Sequence, residues 1–219
     1  MNTAVSHKRR NTTRAVLAGL GAIFGLGAGY VVGRLLKAGA LRTENLGWSD
    51  IGAVGIAVCL IGAAVMIIAV SLNARAAGRM VDPDGDRPAT PAQTSFYRQQ
   101  AMAMFLAGAM LATPVAAIAA WGPLSTTLAS IVMLGIIAAF LLQTFYNLTV
   151  WRRGDELMRQ LMSESGAVCF WVLQGLLFLW ACAEKLDLAP HLSAWDLMTI
   201  LMGFYLVISS VMSVRRGFS

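Results

Sequence analysis

Six stretches of about 20 mostly apolar residues dominate the sequence, and each is long enough to cross a lipid bilayer as a helix. They cover residues 15–36, 51–72, 101–121, 124–149, 166–183 and 197–214. With 58% hydrophobic and only 13% charged residues, the chain is more apolar than soluble domains, which average about 45–50% and about 25%. This composition excludes a soluble enzyme and a free nucleic-acid-binding protein. Since no alternating strand pattern appears, we predict an all-α, polytopic membrane protein with six transmembrane helices.

The distribution of positive charge predicts how these helices are oriented. If the N-terminus is inside, the cytoplasmic segments contain 13 of the 17 Lys and Arg residues, and the outer loops contain 4. We therefore predict an N-in/C-in topology, with a basic cytoplasmic tail at 1–14, one transmembrane domain at 15–214 and a second tail at 215–219. The sequence Ala38-Gly39-Ala40 imitates a signal-peptide cleavage site. The apolar run before it is longer than the 7–15 residues of a signal peptide, so we expect an uncleaved first helix.

Four glycines recur at every fourth position of the first apolar run, namely Gly21, Gly25, Gly29 and Gly33. This spacing places them along one face of a helix, where a neighbouring helix can approach closely. The neighbour is either another helix of this chain or a helix of a second subunit.

The connection between the second and third runs contains Asp82-Pro83-Asp84-Gly85-Asp86. Its alternating carboxylates are similar to those of a calcium loop, but the glycine stands at the fourth position instead of the sixth and no glutamate follows at the twelfth. We interpret it as a solvated, turn-rich loop.

The connection between the fourth and fifth runs combines charged and apolar residues at helical spacing. Arg152 with Glu156, and Asp155 with Arg159, are four residues apart and are expected to form ion pairs along a helix. Leu157, Met158, Leu161 and Met162 fall on one face of the same helix. We interpret the segment as an amphipathic helical turn at the cytoplasmic interface. It is either a self-paired linker or a docking surface for a cytoplasmic partner, formed by these eight residues and Arg153.

A resemblance rests on the R-R-x-D-E-L-x-R block of this segment and on the aromatic-rich helix that follows it, which contains Phe170, Trp171, Phe178 and Trp180. Over about Trp151–Lys185 the chain resembles a group of small multi-pass bacterial membrane proteins, some of which are encoded beside helix-turn-helix regulators. The resemblance implies a bacterial inner-membrane protein with a part in signalling, and it transfers no catalytic residue.

Polar residues inside the predicted spans are few. Gln143 and Asn147 are one helical turn apart in the fourth span, and Gln174 lies in the middle of the fifth. Such amides either hydrogen bond between helices or line an intramembrane site for a solute. Since no carboxylate, Lys or Arg stands near the centre of a span, the sequence argues against a proton-driven pump.

Catalytic and metal-binding patterns are missing from the sequence. Both histidines, His7 and His191, lie outside the spans, and the three cysteines are isolated in apolar runs, which is typical of buried thiols. We therefore predict a non-enzymatic protein with no cofactor and no bound metal.

The leading functional hypothesis is a sensor, regulatory or accessory membrane subunit that docks a cytoplasmic partner. The alternative is the substrate-binding membrane subunit of a small-solute transporter, in which the glycine row faces a coupling subunit and the three amides line the site. The expected partners are the lipid bilayer and either a cytoplasmic regulator or a second membrane subunit, with no direct contact to nucleic acid.

Overall fold

The computed structural model describes residues 46–81 and 87–215, and within these ranges all regular secondary structure is helical. The helices are α1 (Trp48–Ser71), α2 (Ala74–Val81), α3 (Pro91–Trp121), α4 (Thr126–Arg153), α5 (Glu156–Lys185) and α6 (Ala194–Arg215). The predicted first span with its glycine row, the tail at 1–14, the aspartate-rich loop at 82–86 and residues 216–219 lie outside the described residues.

Five of these helices, all except α2, are long and apolar enough to cross a membrane. They coincide with the second to sixth predicted spans, so the all-helical class and these five apolar helices are confirmed. The first predicted span, residues 15–36, and the N-in/C-in orientation stay predictions.

Two of the five helices begin much earlier than their apolar runs. Helix α3 starts at Pro91 because Thr90 forms a capping box: its side chain accepts a hydrogen bond from the Gln93 backbone N–H, and the Gln93 side chain accepts one from the Thr90 backbone N–H. Proline suits the first helical turn, where its missing N–H leaves no partner unsatisfied. The connection between the second and third predicted spans therefore holds α2 and the polar start of α3.

The chain divides into two compact units, and α1 contributes residues to both. In unit 1, which includes Ala57–Arg153, α1 and α3 cross at small residues. A Cβ atom added to Gly108 would lie 2.9 Å from the backbone oxygen of Ala57, so only glycine allows this approach. Helix α3 is joined to α4 by a short turn, in which the Gly122 N–H donates to the Ile118 oxygen at 2.8 Å and φ is 72°.

Unit 2 consists of Gly47–Ile56 and the chain from Gly154 onward. The start of α1 runs parallel to α6, since a Cβ on Gly52 would contact Thr199 and a Cβ on Gly203 would contact Ile56. Helices α5 and α6 are antiparallel: the Ser165 hydroxyl donates to the Met212 sulfur at 3.3 Å near one end.

At the other end of α5, the loop that leads to α6 is fixed by polar contacts. The Trp180 indole N–H donates to the Pro190 oxygen at 3.2 Å, and the Glu184 carboxylate lies 2.6 Å from Nδ1 of His191.

Large apolar side chains cover the outside of α4 and α5. Phe145 is 63% exposed on α4, and Trp171 and Phe178 are 72% and 67% exposed on α5. Soluble monomers rarely expose contiguous apolar patches of this kind, whereas lipid tails solvate them without cost. The surface of these helices therefore fits a hydrocarbon environment.

Candidate functional site

The candidate docking segment, residues 152–162, is divided by a helix break. Helix α4 ends at Arg153, and α5 begins at Glu156 after Asp155, whose φ of −69° and ψ of 172° are extended. The Asp155 carboxylate accepts a hydrogen bond of 2.7 Å from the Met158 backbone N–H and so caps α5. The expectation of one continuous amphipathic turn from Trp151 to Met162 was wrong.

Neither ion pair expected from that continuous helix is present among the described residues. Arg152 and Glu156 belong to different helices, so the spacing of four no longer places them on one face. The Asp155 carboxylate is occupied by the backbone of α5, and Arg159 instead donates from Nε to the Gly154 oxygen at 3.1 Å. Both hydrogen bonds hold the first turn of α5 in a fixed geometry.

The predicted apolar contact face turns partly inward. Leu161 is buried at 7% exposure, and Met158 and Met162 are half-buried. Leu157, by contrast, is 43% exposed, and Glu156 beside it is exposed as well. The exposed part of the predicted contact face is therefore the first turn of α5, with one apolar and one acidic side chain.

The last turn of α4 carries Arg152 and Arg153, both exposed. Arg153 donates from Nη1 to the Gln99 side-chain oxygen of α3 at 3.4 Å, which connects the end of α4 to the polar start of α3 within unit 1. Cations in the last turn also interact favourably with the helix dipole. These contacts explain why α4 continues past its apolar run to Arg153.

The three amides in the predicted spans lie on two helices. Gln143 is half-buried and Asn147 is exposed on the same face of α4 in unit 1, whereas Gln174 is exposed on α5 in unit 2. The two α4 amides lie one turn apart on the same helix.

The cysteines and the acidic residues offer no metal centre within the described ranges, where no cluster of three or more His, Cys, Asp or Glu side chains occurs. Cys169 is buried, as predicted. The prediction of buried thiols was wrong for Cys59 and Cys182, which are exposed on apolar helices.

Sequence reasoning missed one polar contact that organises the same end of unit 1. Arg98, near the start of α3, donates from Nε to the Ser71 hydroxyl and from Nη2 to the Ser71 backbone oxygen, both at 3.3 Å. Ser71 is the last residue of α1, so the guanidinium satisfies a carbonyl that the helix itself leaves without a partner. The position of Arg98, three residues before an apolar run, predicts a cation near the end of a span but not its partner.

Comparison with known proteins identifies no relative of this chain. No family model, no curated protein and no solved structure matches it.

Proposed function

We propose that the protein is a non-enzymatic integral membrane protein of the bacterial inner membrane, and that it docks a cytoplasmic partner as a regulatory or accessory subunit. The support for membrane insertion is the set of five long apolar helices with outward-facing aromatic and aliphatic side chains. Six spans with both termini inside belong to the same proposal, because that orientation places most of the Lys and Arg residues in the cytoplasm.

The observation that carries the docking proposal is the exposed and rigid first turn of α5. Asp155 caps the helix, Arg159 holds the Gly154 carbonyl, and the exposed Glu156 and Leu157 project from this fixed backbone. A preorganised turn loses little conformational entropy on binding, which favours recognition by a small surface. The flanking Arg152 and Arg153 add positive charge next to it in the chain. On this turn a partner would thus meet one apolar and one acidic side chain.

The alternative of a solute-transporter subunit has less support. It needs Gln143, Asn147 and Gln174 to line one site, and the position of these amides in apolar runs is the one observation that points to a solute.

Site-specific photocrosslinking in intact membranes tests the proposal. A photoreactive amino acid at Leu157 should crosslink to one defined cytoplasmic protein, which mass spectrometry then identifies and which copurifies with the untreated chain. The matched control is the same substitution at Leu161, one turn further along α5, where the side chain is buried. The double variant Arg152→Ala with Glu156→Ala should lose copurification, while Gln160→Ala on the same helix should keep it. Crosslinks from Leu157 to lipid alone, or equal capture from both positions, would contradict the docking proposal.

A further inference from the structure

One end of unit 1 concentrates arginine, and the described residues of unit 1 include no Asp or Glu; Asp155 and Glu156 follow in the chain and belong to unit 2. Within 57–81 and 87–153 the chain contains six arginines and no Asp or Glu. Asp82, Asp84 and Asp86, which lie outside the described residues, still leave an excess of three positive charges when counted with them. Five of the arginine side chains are described, and all five are exposed. We call them the arginine end, which consists of Arg75, Arg87, Arg98, Arg152 and Arg153.

Backbone and side-chain contacts gather these residues at the same end of unit 1. Arg98 contacts the last residue of α1, and Arg153 contacts the neighbouring Gln99. The segment that carries Arg87 folds back on α2, because the Ala89 N–H donates to the Ala74 oxygen at 2.8 Å. Arg75 follows in α2, one residue after Ala74.

The depth of the arginines relative to the apolar segments points to the kind of ligand. Arg75 lies three residues beyond Leu72, Arg98 three residues before Ala101, and Arg152 two residues beyond Val150. Arg75 follows Leu72 in the next helix. At about 1.5 Å per helical residue, the backbones of Arg98 and Arg152, which continue the same helices, lie within about 5 Å of the hydrocarbon boundary. That is the depth of phospholipid headgroups, since the interfacial layers add roughly 5–8 Å on each side of the apolar core.

The guanidinium group of arginine is suited to phosphate oxygens. Arginine binds phosphate through paired N–H donors, and Arg98 keeps further N–H groups after its two bonds to Ser71. We infer that the arginine end binds the phosphate headgroup of an anionic phospholipid at the membrane surface. This inference rests on membrane insertion. It shares Arg152 and Arg153 with the docking proposal, but Arg75 and Arg87 lie outside the docking segment, so variants of these two residues let either proposal fail without the other.

The test uses the purified full-length chain in a neutral detergent, stripped of lipid. Phosphatidylglycerol should raise its unfolding temperature in a saturable manner and should be retained in native mass spectrometry. Phosphatidylcholine at the same concentration should do neither. Inorganic phosphate is the third arm, because it shares the ligand chemistry but lacks the acyl chains. Equal stabilisation by phosphatidylcholine, or by phosphate at the same concentration, would overturn the assignment to an anionic lipid.

The variants Arg75→Gln and Arg87→Gln locate the site. Each should weaken phosphatidylglycerol binding about fivefold, and the double variant about 25-fold, given the usual contribution of a basic residue close to an anionic surface. The control Lys185→Gln removes one positive charge from the C-terminal end of α5 and should leave the affinity unchanged. A double variant that binds like the unmodified chain would refute the site.

Arg98 needs a separate pair of variants because it also contacts the end of α1. Arg98→Lys keeps the charge and should retain most of the binding, whereas Arg98→Gln should lose it. Unfolding without added lipid measures the structural contribution of the Ser71 contact independently. If Arg98→Gln lowers only this lipid-free stability and binds phosphatidylglycerol normally, the role assigned to Arg98 in lipid binding is wrong.

Discussion

The crossing of α1 and α3 predicts an unusually costly glycine substitution. In Gly108→Ala, the added Cβ would lie 2.8 Å from Cγ1 of Ile61 and 2.9 Å from the Ala57 oxygen, about half an ångström closer than ordinary contact. The Ile61 side chain can rotate away, but the Ala57 carbonyl belongs to the backbone of a helix and Ala57 is only 1% exposed. Overpacking of this kind typically costs about 1–3 kcal/mol.

The opposing effect is helix propensity, because alanine is favoured over glycine inside a helix by about 1 kcal/mol. Gly135 provides the control that cancels it. It lies inside α4, and a Cβ built on it would meet nothing within 4 Å. Gly108→Ala should therefore be less stable than Gly135→Ala by about 1–3 kcal/mol. For a chain of this size the difference corresponds to about 2–12 °C in unfolding temperature.

The assay is thermal unfolding of both purified variants in the same detergent, monitored by circular dichroism at several scan rates. Gly108→Leu and Gly135→Leu extend the comparison, since a larger side chain should widen the difference. If Gly108→Ala equals or exceeds Gly135→Ala in stability, α1 and α3 do not cross at Gly108 as described.

Three further predictions concern a helix cap, the contact of a loop with α2, and the orientation in the membrane. Thr90→Ala should lower the free energy of unfolding by about 0.5–2 kcal/mol through loss of the capping box, and Thr90→Ser should restore most of it in the same unfolding assay. Gly78→Ala should push the segment after residue 86 off α2, because the added Cβ would collide with the Arg87 backbone oxygen; hydrogen exchange at the Ala89 N–H should then accelerate, and unchanged exchange would speak against this packing. In a variant without native cysteines, Glu156→Cys should react with a membrane-impermeant thiol reagent only in inverted vesicles and His191→Cys only in intact cells, and the reverse pattern would disprove the proposed orientation.

The five apolar helices could be predicted from sequence because their information is local. About 20 consecutive apolar residues have one stable arrangement in lipid, with every backbone group bonded inside its own helix. The predicted helix starts were wrong where a polar segment precedes the apolar run in the same helix, as at Pro91 and Glu156. The Thr-Pro-x-Gln pattern at residues 90–93 signals the first of these starts, since it combines a capping box with proline at the first helical position.

The docking segment shows why spacing alone can mislead. The charges from Arg152 to Arg159 have helical spacing, yet Gly154 and Asp155 are the residue types that end one helix and start the next. Which side chains of α5 turn inward depends on neighbouring helices that are distant in sequence, so the burial of Leu161 could not be predicted locally. The contact between Arg98 and Ser71 likewise joins residues whose approach is decided by the packing of α1 on α3.

The pairing of α1 with α6 places a demand on biosynthesis. Gly52 meets Thr199, a residue 147 positions later in the chain. At typical translation speeds of about 5–20 residues per second, the early helix waits roughly 7–30 s for its neighbour to be made. During that interval its small-residue surface is open to lipid, to chaperones or to the membrane insertion machinery. A nascent chain that stops before the last helix would keep that surface uncovered. Unfinished molecules would therefore differ from complete ones by this exposed face of α1.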